Sequence, residues 1–265
     1  MPSHSDAAPR YREIAQPPAL RDLVACVWVS EAGGQPRQTM VLPDGCIDLI
    51  WPTGSEPFVA GPMTRPLLAH SAAGDRTLGV RFLPAVAPRL LHAAAAELLD
   101  SRAVLADVLT ERNWRRVRDV VSAATDAPEA AACAGVVAAL AQGAMPAHPF
   151  VEDAARWLAR HPAAPVSAFF AEADCSERHL RRHFAEHVGY GPKMLQRILR
   201  LQRALWLASH PIPPPTLARL AHAAGYADQA HMTREMQTLA GQPPSVLLGN
   251  DPQSAVADLF KTPPA

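Results

Sequence analysis

The apolar positions of this chain change their spacing part-way along it. Between residues 23 and 82 they come in short runs rich in β-branched residues, punctuated by glycine and proline. Residues 23–29, 39–42, 46–51, 58–61, 67–70 and 77–82 each predict a strand, and Pro43-Asp44-Gly45 predicts a tight turn. Several short strands so punctuated predict a small β-barrel or sandwich. After Pro84 the period lengthens: Leu90-Leu91, Leu98-Leu99, Val104-Leu105 and Val108-Leu109 are spaced for helices packed on something apolar. Trp114, Val117, Val120 and Val121 continue that face, and 130–141 predicts a further helix. Residues 142–149, QGAMPAHP, predict a linker.

Beyond the linker one pattern occurs twice. A helix over 151–159 leads into an apolar helical face from Val166, broken by Asp174-Cys175. Ser176 stands where an N-cap belongs, ahead of a helix whose early turns carry Arg178, Arg181 and Arg182. A short helix, a turn and a basic second helix form a helix-turn-helix, whose second helix enters the DNA major groove. A long helix over 193–209 follows, with Leu195, Ile198, Leu201 and Leu205 on one face and Arg197, Arg200 and Arg203 on another. The run Pro213-Pro214-Pro215 separates it from the second copy. There, 216–224 predicts a helix closed by Gly225, and Asp228 caps a helix that opens on Gln229. Downstream of each second helix the chain reads Gly, then Pro: Gly189-Tyr190-Gly191-Pro192 and Gly241-Gln242-Pro243.

Charge sharpens this reading. Lysine plus arginine and aspartate plus glutamate number 25 each, so the whole chain carries no formal charge. Between 176 and 206, however, seven basic residues face only Glu177 and Glu186. That local excess is the footprint of a phosphate-binding surface. With 49% hydrophobic and 19% charged residues the chain predicts a globular protein with a proper core. The N-terminus has no apolar signal-peptide core, and no apolar run is long enough to span a bilayer, so a cytoplasmic protein without a membrane partner is expected. Cys26, Cys46, Cys133 and Cys175 are widely spaced, which predicts reduced thiols and neither zinc-ligand spacing nor a disulfide framework.

The words Ser176-Glu177-Arg178-His179-Leu180-Arg181-Arg182-His183-Phe184 and Ala224-Gly225-Tyr226-Ala227-Asp228-Gln229-Ala230-His231-Met232-Thr233-Arg234 resemble the AraC/XylS family of bacterial transcription regulators. The resemblance covers roughly 150–250. It implies a DNA-binding domain of two helix-turn-helix units joined by a long central helix. Met236 and Leu247 stand where that family usually has aromatic residues, and both keep an apolar plug. The stretches 42–51, 60–62 and 79–84 resemble a sensor domain attached to such regulators, which implies a cupin-like barrel. The fold class expected is therefore α+β and multidomain. Its parts are a flexible leader (1–18), a β-rich sensor or dimerisation domain with a helical tail (19–142), a linker (143–150), the double helix-turn-helix domain (151–250) and a tail (251–265).

Arg178 and Arg181 are the expected base readers, because guanidinium suits guanine O6 and N7 as a bidentate donor. Arg182 contacts phosphate or braces the helix, and His179 and His183 are open to a DNA-facing or a packed position. In the second unit the recognition face comprises Gln229, Ala230, His231, Thr233 and Arg234. Gln229 can read adenine, Ala230 offers a methyl contact, and Arg234 suits phosphate. Arg197 and Arg200 on the central helix are structural or phosphate-facing. Two such helices on one rigid connector are expected to enter major-groove segments about 34 Å apart on double-stranded DNA.

In the sensor half, Asp44, Cys46, Asp48, Trp51 and Arg81 are the residues expected to line an effector pocket, since polar groups amid apolar strands need partners. The competing reading makes Pro43-Asp44-Gly45 a mere turn and Asp48 a satisfied core carboxylate paired with Arg81. His4, His70, His92 and His148 are scattered in sequence, so neither a metal nor another cofactor is expected. The predicted function is a non-enzymatic, sequence-specific transcription regulator controlled by a small molecule or other signal. An RNA polymerase contact and a homodimer are compatible with it. The alternatives are a repair enzyme that accepts an alkyl group on Cys26 or Cys46, and a constitutive DNA binder without an effector.

Overall fold

A computed structural model describes residues 8–123, 128–171, 177–209 and 216–248. Its strands are β1 (Arg10–Ile14), β2 (Val24–Glu31), β3 (Arg37–Val41), β4 (Ile47–Pro52), β5 (Phe58–Ala60), β6 (Leu67–Ser71), β7 (Arg76–Phe82) and β8 (Arg102–Val104). Six of them form an antiparallel sheet in the order β1-β2-β7-β4-β5-β8, while β3 pairs with β6. The strands read from the sequence are all present, in two sheets.

Two strands lie outside that reading. Arg10–Ile14 falls in the stretch expected to be a loose leader, yet it pairs with β2 from Arg10↔Glu31 to Ile14↔Val27. Its sequence RYREI has only Tyr11 and Ile14 as apolar residues and no regular alternation, so its strand character comes largely from the partner strand. Arg102–Val104 is similarly short and docks on β5. The first residues of the expected leader and the expected tail over 251–265 lie outside the described residues.

Strand alternation gives the large sheet two different faces. Val27, Val80, Leu49 and Val59 are cross-strand neighbours on one face, all essentially buried. Helices α1 (Ala87–Leu91), α2 (Leu105–Val108), α3 (Glu111–Ala123) and α4 (Glu129–Ala141) supply Leu90, Leu91, Leu105, Val117, Val137 and Leu140 to the same core. Burying each such side chain contributes about 1.5–3 kcal/mol, which makes this face the stability centre of the N-terminal half. The opposite face carries Glu13, Trp28, Asp48 and Arg81, and it turns toward the C-terminal helices.

Those helices are α5 (Pro149–Arg160), α6 (Val166–Ala171), α7 (Glu177–Val188), α8 (Pro192–Ser209), α9 (Leu217–Ala224), α10 (Gln229–Ala240) and α11 (Pro244–Leu247). Leu180, Phe184, Leu195, Ile198, Leu201, Met232 and Met236 form their core, and Leu42 and Ala85 of the N-terminal half belong to the same apolar cluster. Polar links cross at the same place. Gln202 Nε2 donates to the Pro43 carbonyl at 2.6 Å, and Arg89 Nε lies 3.2 Å from Glu152 Oε1.

Candidate nucleic-acid interface

The two helix-turn-helix units are α6–α7 and α9–α10, with α8 between them. The second is well capped. Thr216 Oγ1 accepts from the Arg219 N–H at 3.3 Å, and Asp228 Oδ1 accepts from the His231 N–H at 2.6 Å. The turn of the first unit, with Asp174, Cys175 and the proposed cap Ser176, lies outside the described residues. The Gly-then-Pro grammar has a physical meaning in both copies. Gly189 and Gly241 follow α7 and α10 in the left-handed conformation (φ 92° and 70°), and Pro192 and Pro244 open the next helices. At Gly189 the approach is also close: a Cβ would fall 2.6 Å from Pro62 Cγ and 3.2 Å from the Ala95 carbonyl oxygen. The end of the first recognition helix is thus seated on the N-terminal half.

On α7, Leu180 and Phe184 are fully buried while Arg178, Arg181 and Arg182 are exposed. The i, i+3, i+4 spacing puts the three guanidinium groups on one side of the helix. His179 is exposed on the same helix; its Nε2 lies 2.9 Å from His183 Nε2, and its Nδ1 lies 3.3 Å from an Arg182 nitrogen. Burial first, then His148, His179 and Arg182, holds the His183 imidazole below its ordinary value.

On α10, Gln229, Ala230 and Arg234 are exposed. His231 and Thr233 are only half-exposed and engaged locally. The His231 ring stands edge-on to Tyr226 at 5.5 Å, and the Thr233 hydroxyl donates to the Gln229 carbonyl at 2.9 Å. Met236 and Leu247 are buried, the apolar plug that the sequence predicts.

The arginines of α8 work inside the protein. Arg197 Nε contacts both oxygens of Glu235, at 3.1 and 2.8 Å, tying α8 to α10. Arg200 Nε donates to the Pro162 carbonyl at 2.6 Å, and Arg203 Nε to that of Ala223 at 2.9 Å. Burial lowers the pKa of Arg200. In sequence this stripe is indistinguishable from a solvated basic face; in the fold it links α8 to α9, α10 and the loop after α5.

Residues 169–250 match the model of a helix-turn-helix domain family. The C-terminal part of the chain is a helix-turn-helix domain. Residues 12–103 match a domain of unknown function (DUF6597). No curated protein matches it. Among solved structures it is similar to a probable AraC family transcriptional regulator from Rhodopseudomonas palustris CGA009, at 24% identity over 37% of this chain and 92% of that one, TM-score 0.33. It is also similar to ToxT from Vibrio cholerae, at 8% identity over 81% of this chain and 97% of that one, TM-score 0.49. No helix among the described residues is long and apolar enough to cross a membrane.

The polar residues of the N-terminal half gather around Arg81. Its guanidinium lies 3.0 Å from Asp44, 3.1 Å from Asp48 and 3.7 Å from Glu13. Burial works against the Arg81 charge, but the Asp48 and Asp44 carboxylates outweigh it and hold the group protonated well above its ordinary value. Three carboxylates around one cation leave a surplus of negative charge. Burial, with Asp44 adding to it, raises the Asp48 carboxyl against the pull of Arg81. Trp28 Nε1 donates to Asp48 at 2.9 Å, and Asp44 Oδ1 accepts from the Cys46 N–H at 2.9 Å. Burial first, then Asp44, raises the Cys46 thiol well above its usual range.

Beside this cluster lies a cavity of about 410 Å³. Asp44, Cys46 and Arg81 line it from the sheet side, and Glu152, Leu199 and Gln202 from α5 and α8. Asp48 stands behind Arg81, and Trp51 packs into the core on the other face of the sheet. Sequence reasoning thus assembled Asp44, Cys46, Asp48 and Arg81 but missed Glu13, Trp28 and the whole helical wall. No local signal marks those residues: Glu13 and Trp28 reach the cluster through strand pairing, and the helical wall only through the docking of the two halves.

Proposed function

We propose that the protein is a cytoplasmic, non-enzymatic regulator whose first recognition helix reads DNA through Arg178 and Arg181, with Arg182 on phosphate. Gln229, Ala230 and Arg234 form the weaker reading surface of the second unit, and Arg197 and Arg200 position the two units rather than contact bases. The observation that carries this reading is the exposure of three arginines on one side of α7, opposite its buried Leu180 and Phe184. The effector is a small molecule held in the cavity between the sheet and α5 and α8. Its occupancy bears directly on how the DNA-binding helices sit. The halves meet near 143–150, which we take as the domain boundary. RNA polymerase and a second copy of the chain are further partners. The raised thiol of Cys46 speaks against an alkyl-accepting cysteine, which needs a thiolate.

Selection of bound sequences from a random DNA pool tests the reading. The expected product is an asymmetric site spanning about two helical turns, bound with an affinity that falls steeply as salt rises. Recovery of no common sequence, or equal affinity at low and high salt, overturns it.

A further inference from the structure

The recognition helix carries a second pattern that DNA binding does not use. His179, His183 and His187 recur at i, i+4 spacing, so the three rings line one side of α7. Paired histidines at i, i+4 on a helix are a recurring way to hold a metal ion. A fourth histidine arrives from a distant part of the chain. His148, in the segment leading into α5, packs against this row with its ring tilted, its centroid 4.3 Å from that of His183 and 5.1 Å from that of His187. One ring nitrogen from each of His148, His183 and His187 can be chosen so that all lie within 4.8 Å of one another.

Two of these rings are incompletely partnered. His148 Nδ1 and His183 Nδ1 are closed off from solvent and make no hydrogen bond. A polar atom so placed costs roughly 1–3 kcal/mol unless something completes it. The other nitrogen of His183 meets His179 Nε2 at 2.9 Å. A metal on Nδ1 then fixes the His183 proton on Nε2, where it is donated to His179, the kind of outer contact that orients metal-bound imidazoles.

We propose that His148, His183 and His187 form a site for a divalent transition metal ion, with Zn²⁺ the best fit. Three imidazoles are borderline ligands that suit zinc, whereas magnesium and calcium require oxygen donors. Zinc–nitrogen bonds of about 2.0–2.1 Å bring tetrahedral ligands to roughly 3.4 Å apart, so the rings close up by small side-chain rotations. Glu186, whose Oε2 lies 3.7 Å from His183 Nδ1, or a water completes the fourth position. The ion clips the segment between the two halves to the recognition helix, so metal occupancy resists any movement of α7 away from its seat.

The test uses the untagged full-length chain, stripped with a chelator. Zn²⁺ is titrated against a chromophoric competitor, and Co²⁺ is added as a spectroscopic probe of coordination. One ion per chain, intense visible bands of tetrahedral Co²⁺ and a raised melting temperature are expected. His148→Ala and His187→Ala should each weaken Zn²⁺ binding at least 10-fold, with the exposed His70→Ala unchanged. His148→Gln serves if the alanine variant fails to fold. Binding that is weak and non-stoichiometric, or that survives loss of His148, is adventitious histidine binding only and overturns the proposal.

Discussion

Gln202 on α8 donates its side-chain amide to the Pro43 carbonyl at 2.6 Å, a buried bond that joins points 159 residues apart. Pro43 opens the turn that also carries Asp44, so one hydrogen bond links the central helix α8 to the Arg81 cluster. Gln202→Leu leaves the Pro43 carbonyl buried without a donor, at a cost of roughly 1–3 kcal/mol. Thermal melting should register that loss. Limited proteolysis should also cut the 143–148 segment faster than in the parent. An unchanged cleavage rate would show that this bond does not hold the two halves together.

The Arg197–Glu235 pair fixes the second unit against α8. Glu235→Ala leaves a mostly buried guanidinium without its carboxylate, at a cost of roughly 1–3 kcal/mol. Affinity for the full two-turn site should fall several-fold, while affinity for a fragment carrying only the first unit's half-site should change little. Gel-shift titrations on the two DNAs separate these outcomes, and an equal loss on both would assign the pair a general folding role.

Arg178 and Arg182 are expected to fail differently. Arg178→Ala should relax preference at a single base position, at a discrimination cost of about 1–3 kcal/mol. Arg182→Ala should weaken all sequences alike and reduce the salt slope by about one. Repeating the sequence selection with each variant, and titrating salt, distinguishes base reading from phosphate contact.

Alkaline pH provides a check on the interior. Burial pushes the Cys133 thiol up to about 12 and raises Cys46, Tyr190 and Tyr226 in the same direction. A raised folded value means that the folded chain keeps protons which the unfolded chain releases. The associated stability is therefore complete below pH 9 and declines above it, by up to about 1.4 kcal/mol per pH unit for each group. Denaturant unfolding from pH 8 to 11 should show that decline. Peptide mapping after iodoacetamide treatment at pH 8 should find Cys46 and Cys133 unmodified unless urea is present.

Legibility in the sequence followed how local each cause is. The helix-turn-helix repeat is encoded by caps, arginine spacing and the glycines after each second helix, all within a dozen residues, and so it can be read directly. The strands of the large sheet show their alternation, except where a polar edge such as Arg10–Ile14 borrows its structure from a neighbour. Arg197, Arg200 and Arg203 show the limit of charge patterning: their partners Glu235, Pro162 and Ala223 lie on other elements. The cavity and the histidine cluster each need two distant segments. Asp44 and Arg81 hint at the one, and His183 and His187 at the other, but Gln202 and His148 arrive only through tertiary packing.

Gly189 seats the end of α7 against Pro62 and Ala95, while Arg178 sits about ten residues away, near the opposite end of the helix. At 1.5 Å per residue that arm is about 15 Å long. A tilt of about 10° at the seated end would carry the Arg178 backbone through roughly 2.6 Å, nearly the length of a hydrogen bond. On the proposed reading, α7 would then act as a lever with its fulcrum in the N-terminal half. Shifts too small to disturb the core there would be enough to bring the arginines into or out of register with base edges.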